Sequence, residues 1–304
     1  MPEFVAYDEF AYFHENAEEF GLPYAGPPTV RRESVHLDDG RRLSALVWGE
    51  GDPQLVFLHG GAQNAHTWDT VALALRRPMV CVDLPGHGHS DGYRAGAMDL
   101  RANADDVAAA IRALAPHAAG VIGMSLGGMT AIALAAAHPE LVRSLVLVDV
   151  TPGANAEKAS PILAFVDGPK SFDSFDELLE RTVMFNPTRS EASLRRGILH
   201  NAVQQEDGAW VWRHARHRSP VQAVTDIADQ FGGLWDAISD LQVPLMLARG
   251  MRDQSVVDDA DEAELLRRCP TARVEHVEEA GHSLQGDTPL ELAALIDDFI
   301  PRPS

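Results

Sequence analysis

The stretch GVIGMSLGGM, residues 120–129, decides how the rest of the sequence is interpreted. It holds the pattern Gly-x-Ser-x-Gly, with Ser125 at its centre, between an apolar run at 120–124 and an alanine-rich segment at 126–138. A buried strand that turns sharply into a helix forces strained backbone angles on the middle residue. Small residues two before and two after are needed because neighbouring backbone comes too close for a Cβ. The pattern therefore predicts a serine raised clear of a sheet, a candidate nucleophile.

Further short apolar runs with the same character occur on both sides of this turn. Continuously apolar runs are typical of parallel strands buried on both faces, and segments with helical periodicity follow them. Alternating strands and helices indicate an α/β fold: a mostly parallel, eight-stranded twisted sheet with helices on both faces. The predicted strands are an antiparallel hairpin within 33–48 and the runs 54–58, 79–83, 120–124, 144–150, 244–248 and 272–277. The predicted helices cover 65–76, 97–114, 126–138, 256–268 and 288–300.

The alternation breaks once, between Val150 and Leu241, where no buried-strand run is found. This segment is rich in large apolar side chains, and it follows the carboxyl end of a strand, where open α/β sheets place their ligands. We predict a helical cap, or lid, over residues 151–240. The core then comprises 33–150 and 241–304, and residues 1–32 form an N-terminal arm.

A serine hydroxyl needs a base, and the base needs a carboxylate that orients it. The candidate base is His282, on a glycine-bearing loop just after the last predicted strand. Asp253, in the loop after the preceding strand, is the favoured carboxylate. Asp149, at the end of the strand 144–150, is a rival, because it also belongs to the carboxyl edge of the sheet.

Transfer of an acyl group also needs hydrogen-bond donors for the developing oxyanion. One candidate is the backbone N–H of Leu126, directly after the serine. The other is Gly61, in the His-Gly-Gly run at the end of the strand 54–58, with the neighbouring Ala62 as a donor that could serve instead.

These motifs together resemble the α/β-hydrolase fold superfamily, over about residues 33–300. The segment HGGAQNAHTW at 59–68 is similar to the superfamily's HGxxxxxxxW stretch, and DLPGHGHS at 83–90 is similar to its D-x-P-G-x-G-x-S turn. The order Ser125, Asp253, His282 matches the Ser–Asp–His order of that fold. The resemblance is to the serine-nucleophile branch with a helical cap: carboxylesterases, lactonases, haloperoxidase-like esterases and carbon–carbon bond hydrolases.

The resemblance implies a serine hydrolase that cleaves an ester-like or lactone bond of a small to medium substrate through an acyl-enzyme. A carbon–carbon bond hydrolase with the same triad, and a ligand-binding or lyase member of the fold, are the alternatives. A serine at position 125 argues against haloalkane dehalogenases and epoxide hydrolases, whose nucleophile is an aspartate. The lipase-like HGGG motif is not matched, because Ala62 replaces its third glycine. We expect Ala62, Trp68, Phe165 and Trp210 to line the substrate pocket.

The composition excludes several classes of partner. The chain has 304 residues and a formal net charge of −20, a field that repels phosphate backbones and anionic lipids, so nucleic acid and membrane partners are not expected. Two cysteines make no disulfide framework, and the N-terminal residues do not form a signal peptide, which favours a cytoplasmic location.

His87 and His89 suggest a metal site, but no cysteine or carboxylate cluster completes one. We therefore expect neither a metal nor a cofactor, while substrate identity and oligomeric state stay open.

Overall fold

The central sheet of the protein has eight strands in the order β1-β2-β4-β3-β5-β6-β10-β11. The computed structural model describes residues 4–154, 157–158, 160–166, 168–186, 189–214, 231 and 233–302. The eight strands are β1 (Val30–His36), β2 (Arg42–Trp48), β3 (Leu55–Leu58), β4 (Met79–Val82), β5 (Gly120–Met124), β6 (Leu145–Val148), β10 (Leu245–Gly250) and β11 (Arg273–Val277).

The direction of the strands confirms the predicted fold class. β1 pairs antiparallel with β2, and β2 pairs antiparallel with β4. All other neighbours in this sheet are parallel. The carboxyl ends of β3, β5, β6, β10 and β11 therefore lie at one edge, where the candidate site residues were expected.

Helices cover both faces of this sheet, and each face has its own apolar core. One face packs against α3 and α4, and the other against α2 and the C-terminal helix α11. None of the helices in the described parts of the chain has the length and apolar composition that a membrane span needs. The helices outside the segment 151–240 are α1 (Phe13–Glu19), α2 (Asp69–Leu75), α3 (Leu100–Leu114), α4 (Leu126–Ala137), α9 (Asp259–Arg268), α10 (Leu284–Asp287) and α11 (Pro289–Phe299).

Residues 151–240, here called the insertion, differ from the all-helical prediction. They contain a three-stranded antiparallel sheet in the order β7-β9-β8, as well as helices. The sequence signal for this sheet, which the helical prediction overlooked, is the Asp207-Gly208 turn of the hairpin between β8 and β9. Gly208 has a φ of 95° there. Residues 215–230 of the predicted cap lie outside the described residues. The elements are α5 (Ser160–Val166), β7 (Ser171–Phe172), α6 (Phe175–Phe185), α7 (Glu191–Asn201), β8 (Ala202–Gln204), β9 (Trp210–Trp212) and α8 (Leu234–Ser239).

The N-terminal segment contacts both the core and the insertion. Phe13 of α1 is buried, and its ring packs edge-on against Trp48 at 4.9 Å. On the other side, Arg196 of α7 donates to Asn16 at 2.8 Å and pairs with Glu19. This segment thus ties helix α7 to the body of the protein, and it leads into β1 at Val30, three residues before the predicted start of the core.

Candidate active site

Ser125 lies at the junction of β5 and α4 with φ 51° and ψ −120°, a left-handed conformation that is strained for a residue with a side chain. The two flanking glycines have a steric reason. A Cβ on Gly123 would lie 2.5 Å from the carbonyl oxygen of Gly127, and a Cβ on Gly127 would lie 2.2 Å from that of Leu58. The turn can therefore be this tight only with glycine at both positions.

The imidazole of His282, in the loop after β11, pairs with the carboxylate of Asp149. His282 Nδ1 lies 2.9 Å from Asp149 Oδ2. Asp149 is fully buried and accepts three more hydrogen bonds: from the N–H of Gly250 (2.9 Å), the hydroxyl of Ser255 (2.6 Å) and the N–H of Val256 (3.0 Å). These four donors compensate the carboxylate for the water that it loses on burial. It fixes the tautomer of His282 with the proton on Nδ1.

This pairing corrects the expected contact between Asp253 and His282. Asp253 is exposed in the loop after β10, and no hydrogen bond joins these two described residues. The loop contributes to the site in another way, because its residues Ser255 and Val256 donate to Asp149. The carboxylate that contacts His282 follows the end of β6, and the loop after β10 supplies donors that hold it.

The other ring nitrogen of His282 is available for proton transfer. Nε2 is buried and has no hydrogen-bond partner among the described residues. His282 and the half-exposed Ser125 line the same cavity. The sequence-predicted nucleophile and base are thus brought to one space, with Asp149 behind the base.

Two backbone amides are placed to bind an oxyanion beside Ser125. Leu126 is the first residue of α4, and the first N–H groups of a helix lack acceptors within the helix. The loop at 60–63 comes close on the other side, since a Cβ on Gly60 would lie 3.3 Å from the Cβ of Ser125. Gly61 lines the cavity, and a Cβ there would meet nothing within 4 Å.

The amide of Ala62, the alternative donor, already has an acceptor. Its N–H donates to His87 Nε2 at 3.0 Å, and Ala62 has a φ of 61°. His87 Nδ1 lies 3.0 Å from the carbonyl oxygen of Pro85, so Nδ1 carries the proton and Nε2 accepts. Burial, followed by the neighbouring His59 and His214, holds the pKa of His87 well below its ordinary value and keeps the ring neutral. Of the two candidate donors in this loop, Gly61 is therefore favoured, because the N–H of Ala62 is engaged by His87.

The cavity has a volume of about 310 Å³ and lies between the core and the insertion. Ala62 and Phe165 line it, as expected. The core contributes Gly61, Met124, Ser125 and His282, and the insertion contributes Phe165, Thr182, Phe185, Ile198 and Trp212. A cavity of this size lined mainly by apolar groups suits a small organic molecule.

Two of the expected pocket residues are elsewhere. Trp68 is fully buried in the core, where its ring packs against Phe57 at 5.0 Å. Trp210 is buried in the insertion, with its ring against Phe175 at 5.1 Å. Trp212, which sequence reasoning did not select, lines the cavity instead. The prediction of Trp68 and Trp210 as lining residues is therefore not supported, because packing within each layer takes up both indoles.

Comparisons with known proteins place this geometry in context. A family profile described as alpha/beta hydrolase fold matches residues 53–289. The esterase Rv0045c of Mycobacterium tuberculosis is 44% identical over 303 residues, covering 97% of this chain and 96% of the relative. A structure of that esterase, from work on its transition metal inhibition and structural refinement, superposes with a TM-score of 0.82, covering 97% of this chain and 99% of the other. A pimeloyl-[acyl-carrier protein] methyl ester esterase of Aeromonas hydrophila is 29% identical, covering 85% of this chain and 99% of the relative.

Proposed function

The chain belongs to the α/β hydrolase family and is a carboxylic ester hydrolase, and we propose that it works through an acyl-enzyme on Ser125. The observation that carries this proposal is the position of His282. One nitrogen of its ring is held by the buried Asp149, and the other is unpartnered among the described residues, in a ring that lines the same cavity as Ser125.

Each residue of the site has its own role in the proposed reaction. His282 Nε2 takes the proton of the Ser125 hydroxyl as its oxygen attacks the ester carbonyl. The N–H groups of Gly61 and Leu126 bind the oxyanion that forms. His282 then protonates the leaving alcohol, and a water molecule repeats the cycle to release the acid. Asp149 keeps the proton on Nδ1 and stabilises the imidazolium while it exists.

The insertion forms the lid of this site in our proposal. Phe165, Phe185 and Trp212 present an apolar wall opposite Ser125, which excludes water from the acyl-enzyme until the alcohol has left. The cavity volume favours an ester or lactone with a small to medium acyl group. We expect kcat/KM for a series of p-nitrophenyl esters to rise and then fall as the acyl chain outgrows the cavity. A continued rise up to the longest chains would contradict this substrate class.

The cellular location is a further part of the proposal. Cys81 and Cys269 are both buried and both free, as is usual in a reducing compartment. We propose that the protein works in the cytoplasm, on a small molecule. Fractionation of cells that express the native gene tests this, and recovery of the protein outside the cytoplasm would overturn it.

Labelling by a fluorophosphonate probe tests the nucleophile. The native protein is expected to be labelled, whereas Ser125→Ala is expected to lose both the label and turnover, with a drop in kcat of about 10⁶-fold by analogy with other serine hydrolases. Ser283→Ala is the matched control, because Ser283 lines the same cavity and its hydroxyl has no place in the mechanism. A Ser125→Ala protein that is still labelled would disprove the assignment.

A further inference from the structure

A second group of chemistry-bearing side chains lies outside the catalytic site. His66 lies within the short 3₁₀ turn Ala65–Trp68 before α2, Asp69 begins α2, and His200 is near the end of α7. All three are more than nine-tenths buried. His66 Nδ1 lies 2.9 Å from Asp69 Oδ2, and His200 Nε2 lies 3.9 Å from the same oxygen. The three ligand atoms are all within 4.8 Å of one another.

We propose that His66, Asp69 and His200 form a binding site for a divalent transition metal ion such as Zn²⁺. Two imidazoles and a carboxylate are a ligand set that this class of ion takes, with a water molecule as the fourth ligand. Two buried polar atoms of this group are unsatisfied, one on His200 and the other the second carboxylate oxygen of Asp69. His200 Nε2 and Asp69 Oδ1 are buried and have no hydrogen-bond partner among the described residues. Such atoms are costly to bury without a partner, and a metal ion would satisfy them.

The outer groups already favour the ring nitrogens that would bind the ion. The hydroxyl of Tyr7 lies 2.8 Å from His200 Nδ1, which leaves Nε2 as the ligand atom. The carboxylate of Glu9 lies 3.2 Å from His66 Nε2, and Nδ1, now 2.9 Å from Asp69 Oδ2, is the atom that would give up its proton to bind the ion. Metal-binding histidines usually have such a partner on the other nitrogen, which sets the tautomer and the orientation of the ring. Both histidines of this group have one.

A cation bound here would lie among both acidic and basic side chains, and the two imidazole rings would have to rotate to bind it. Three arginines oppose a cation here. Arg32, whose Nη2 lies 3.4 Å from His66 Nε2, is paired with Glu9 and with Asp83. Arg196 is paired with acidic side chains of the N-terminal segment, and Arg213 donates to the backbone carbonyl of His200.

The two imidazoles are stacked, with centroids 3.9 Å apart and planes at 10°. A rotation of the rings is needed to direct both lone pairs to one point. The ligand atoms, which lie within 4.8 Å of one another, must also approach to about 3.3 Å, the spacing that a tetrahedral ion with bonds of about 2.0–2.1 Å requires.

The position of the group gives a bound ion a structural consequence. His66 and Asp69 belong to the core, and His200 belongs to the insertion. Helix α7 also carries Ile198 and Asn201, which line the catalytic cavity. A metal ion bound here would therefore fasten a wall of the cavity to the core, with Tyr7 and Glu9 of the N-terminal segment behind it.

Calorimetric titration of the chelator-treated full chain with Zn²⁺ tests the proposal, and Co²⁺ absorption reports the geometry of the site. We expect one strong site per chain. His200→Gln and Asp69→Asn are expected to lower the affinity more than about 100-fold, and Tyr7→Phe, which removes only the outer hydroxyl, about 10- to 100-fold. His117→Gln, at an exposed loop position, is the matched control and should bind as the native chain does.

The catalytic histidine is the competing site, and a second comparison separates the two. Zn²⁺ should raise the melting temperature of His282→Gln as much as that of the native chain, and should not raise that of His200→Gln. Ester hydrolysis by Tyr7→Phe and Asp69→Asn shows that these variants are folded. If strong binding persists in Asp69→Asn and Tyr7→Phe, or disappears only in His282→Gln, the proposal is wrong. Neither result depends on whether Ser125 is the nucleophile.

Discussion

The loops that follow β6 and β10 offer two carboxylates at neighbouring strand ends, and only that of Asp149 is hydrogen-bonded to the imidazole of His282. β6 and β10 are paired in register, with Val148 opposite Ala248. Asp149, one residue beyond that pair on β6, is fully buried and accepts hydrogen bonds from four groups. Asp253, three residues beyond the end of β10, is exposed.

The sheet edge brings both carboxylates near His282, but burial and hydrogen-bond donors determine which of them is held in place to orient its ring. A buried carboxylate is costly unless donors surround it, so one that is kept beside a histidine has a fixed charge and a fixed direction. An exposed carboxylate is hydrated and free to turn, and it orients an imidazole poorly. The predictions below test this contrast, beginning with the largest effect.

Replacing the buried carboxylate is expected to have the greatest effect. Asp149→Asn should lower kcat by about 10⁴-fold, because an amide leaves His282 in the wrong tautomer and does not stabilise the imidazolium. Steady-state kinetics on a p-nitrophenyl ester measures the loss, and circular dichroism checks that the variant is folded. Full activity in a folded Asp149→Asn protein would show that the buried carboxylate is not needed to orient His282.

Removing one donor to this carboxylate should have a smaller effect. In Ser255→Ala, Asp149 loses the hydroxyl at 2.6 Å but keeps the N–H groups of Gly250 and Val256. A hydrogen bond to a charged group contributes about 1.5–3 kcal/mol, so we expect kcat to fall by about tenfold. Ser239→Ala, on the exposed end of α8, serves as the control. An unchanged kcat in Ser255→Ala would mean that the donors do not act through Asp149.

The same contrast between buried and exposed groups predicts a dependence of stability on pH. The pKa of the buried His87 is held well below its ordinary value of about 6.5, so below pH 6.5 the unfolded chain takes up a proton that the native chain does not. Stability is therefore lost as the pH falls below about 6.5, by up to about 1.4 kcal/mol per pH unit from this one group. Urea unfolding of the native chain and of His87→Gln, at pH 7 and pH 5.5, measures the difference.

The expected result is a flatter pH dependence in His87→Gln, whose amide does not titrate and still offers an acceptor to the N–H of Ala62. His117→Gln, at an exposed position, should show the slope of the native chain. If His87→Gln and the native chain lose stability in parallel, the ring is not held neutral.

The exposed carboxylate should matter least. Asp253 lines the cavity but makes no hydrogen bond to His282 in the structure, so we expect Asp253→Asn to change kcat by no more than about twofold. The free energy of unfolding should change by no more than about 0.5 kcal/mol, the usual range for exposed positions. The same assays as for Asp149→Asn apply, which makes the two variants a matched pair. A loss of several orders of magnitude in Asp253→Asn would show that the loop after β10 closes onto His282 in the working enzyme.

The fold could be predicted because its signals are local. Continuous apolar runs mark the buried strands, and the glycines at 123 and 127 mark a turn that tolerates no Cβ. Which carboxylate serves was not predictable in this way, because β6 and β10 bring both to the same edge. A clue was present, in that Asp149 directly follows the apolar run Leu145–Val148 and precedes Val150, which predicts burial.

Features that depend on distant packing could not be predicted from local patterns. Trp210 and Trp212 lie two residues apart on a strand that was itself missed, and only Trp212 lines the cavity. His66 and Asp69 are three residues apart, but His200 joins them from the insertion, more than a hundred residues away. The sequence drew attention to His87 and His89 instead, but both ring nitrogens of His87 are engaged in hydrogen bonds with Ala62 and Pro85.

Left-handed backbone is concentrated around the site, at Ala62, Ser125 and Asp149, with φ values of 61°, 51° and 46°. Each such residue costs of order 1–3 kcal/mol, which glycine would largely avoid. Glycine at these positions would relieve the strain, but it would also remove the Ser125 hydroxyl and the Asp149 carboxylate. A more heat-resistant variant therefore has to be stabilised at positions away from the site.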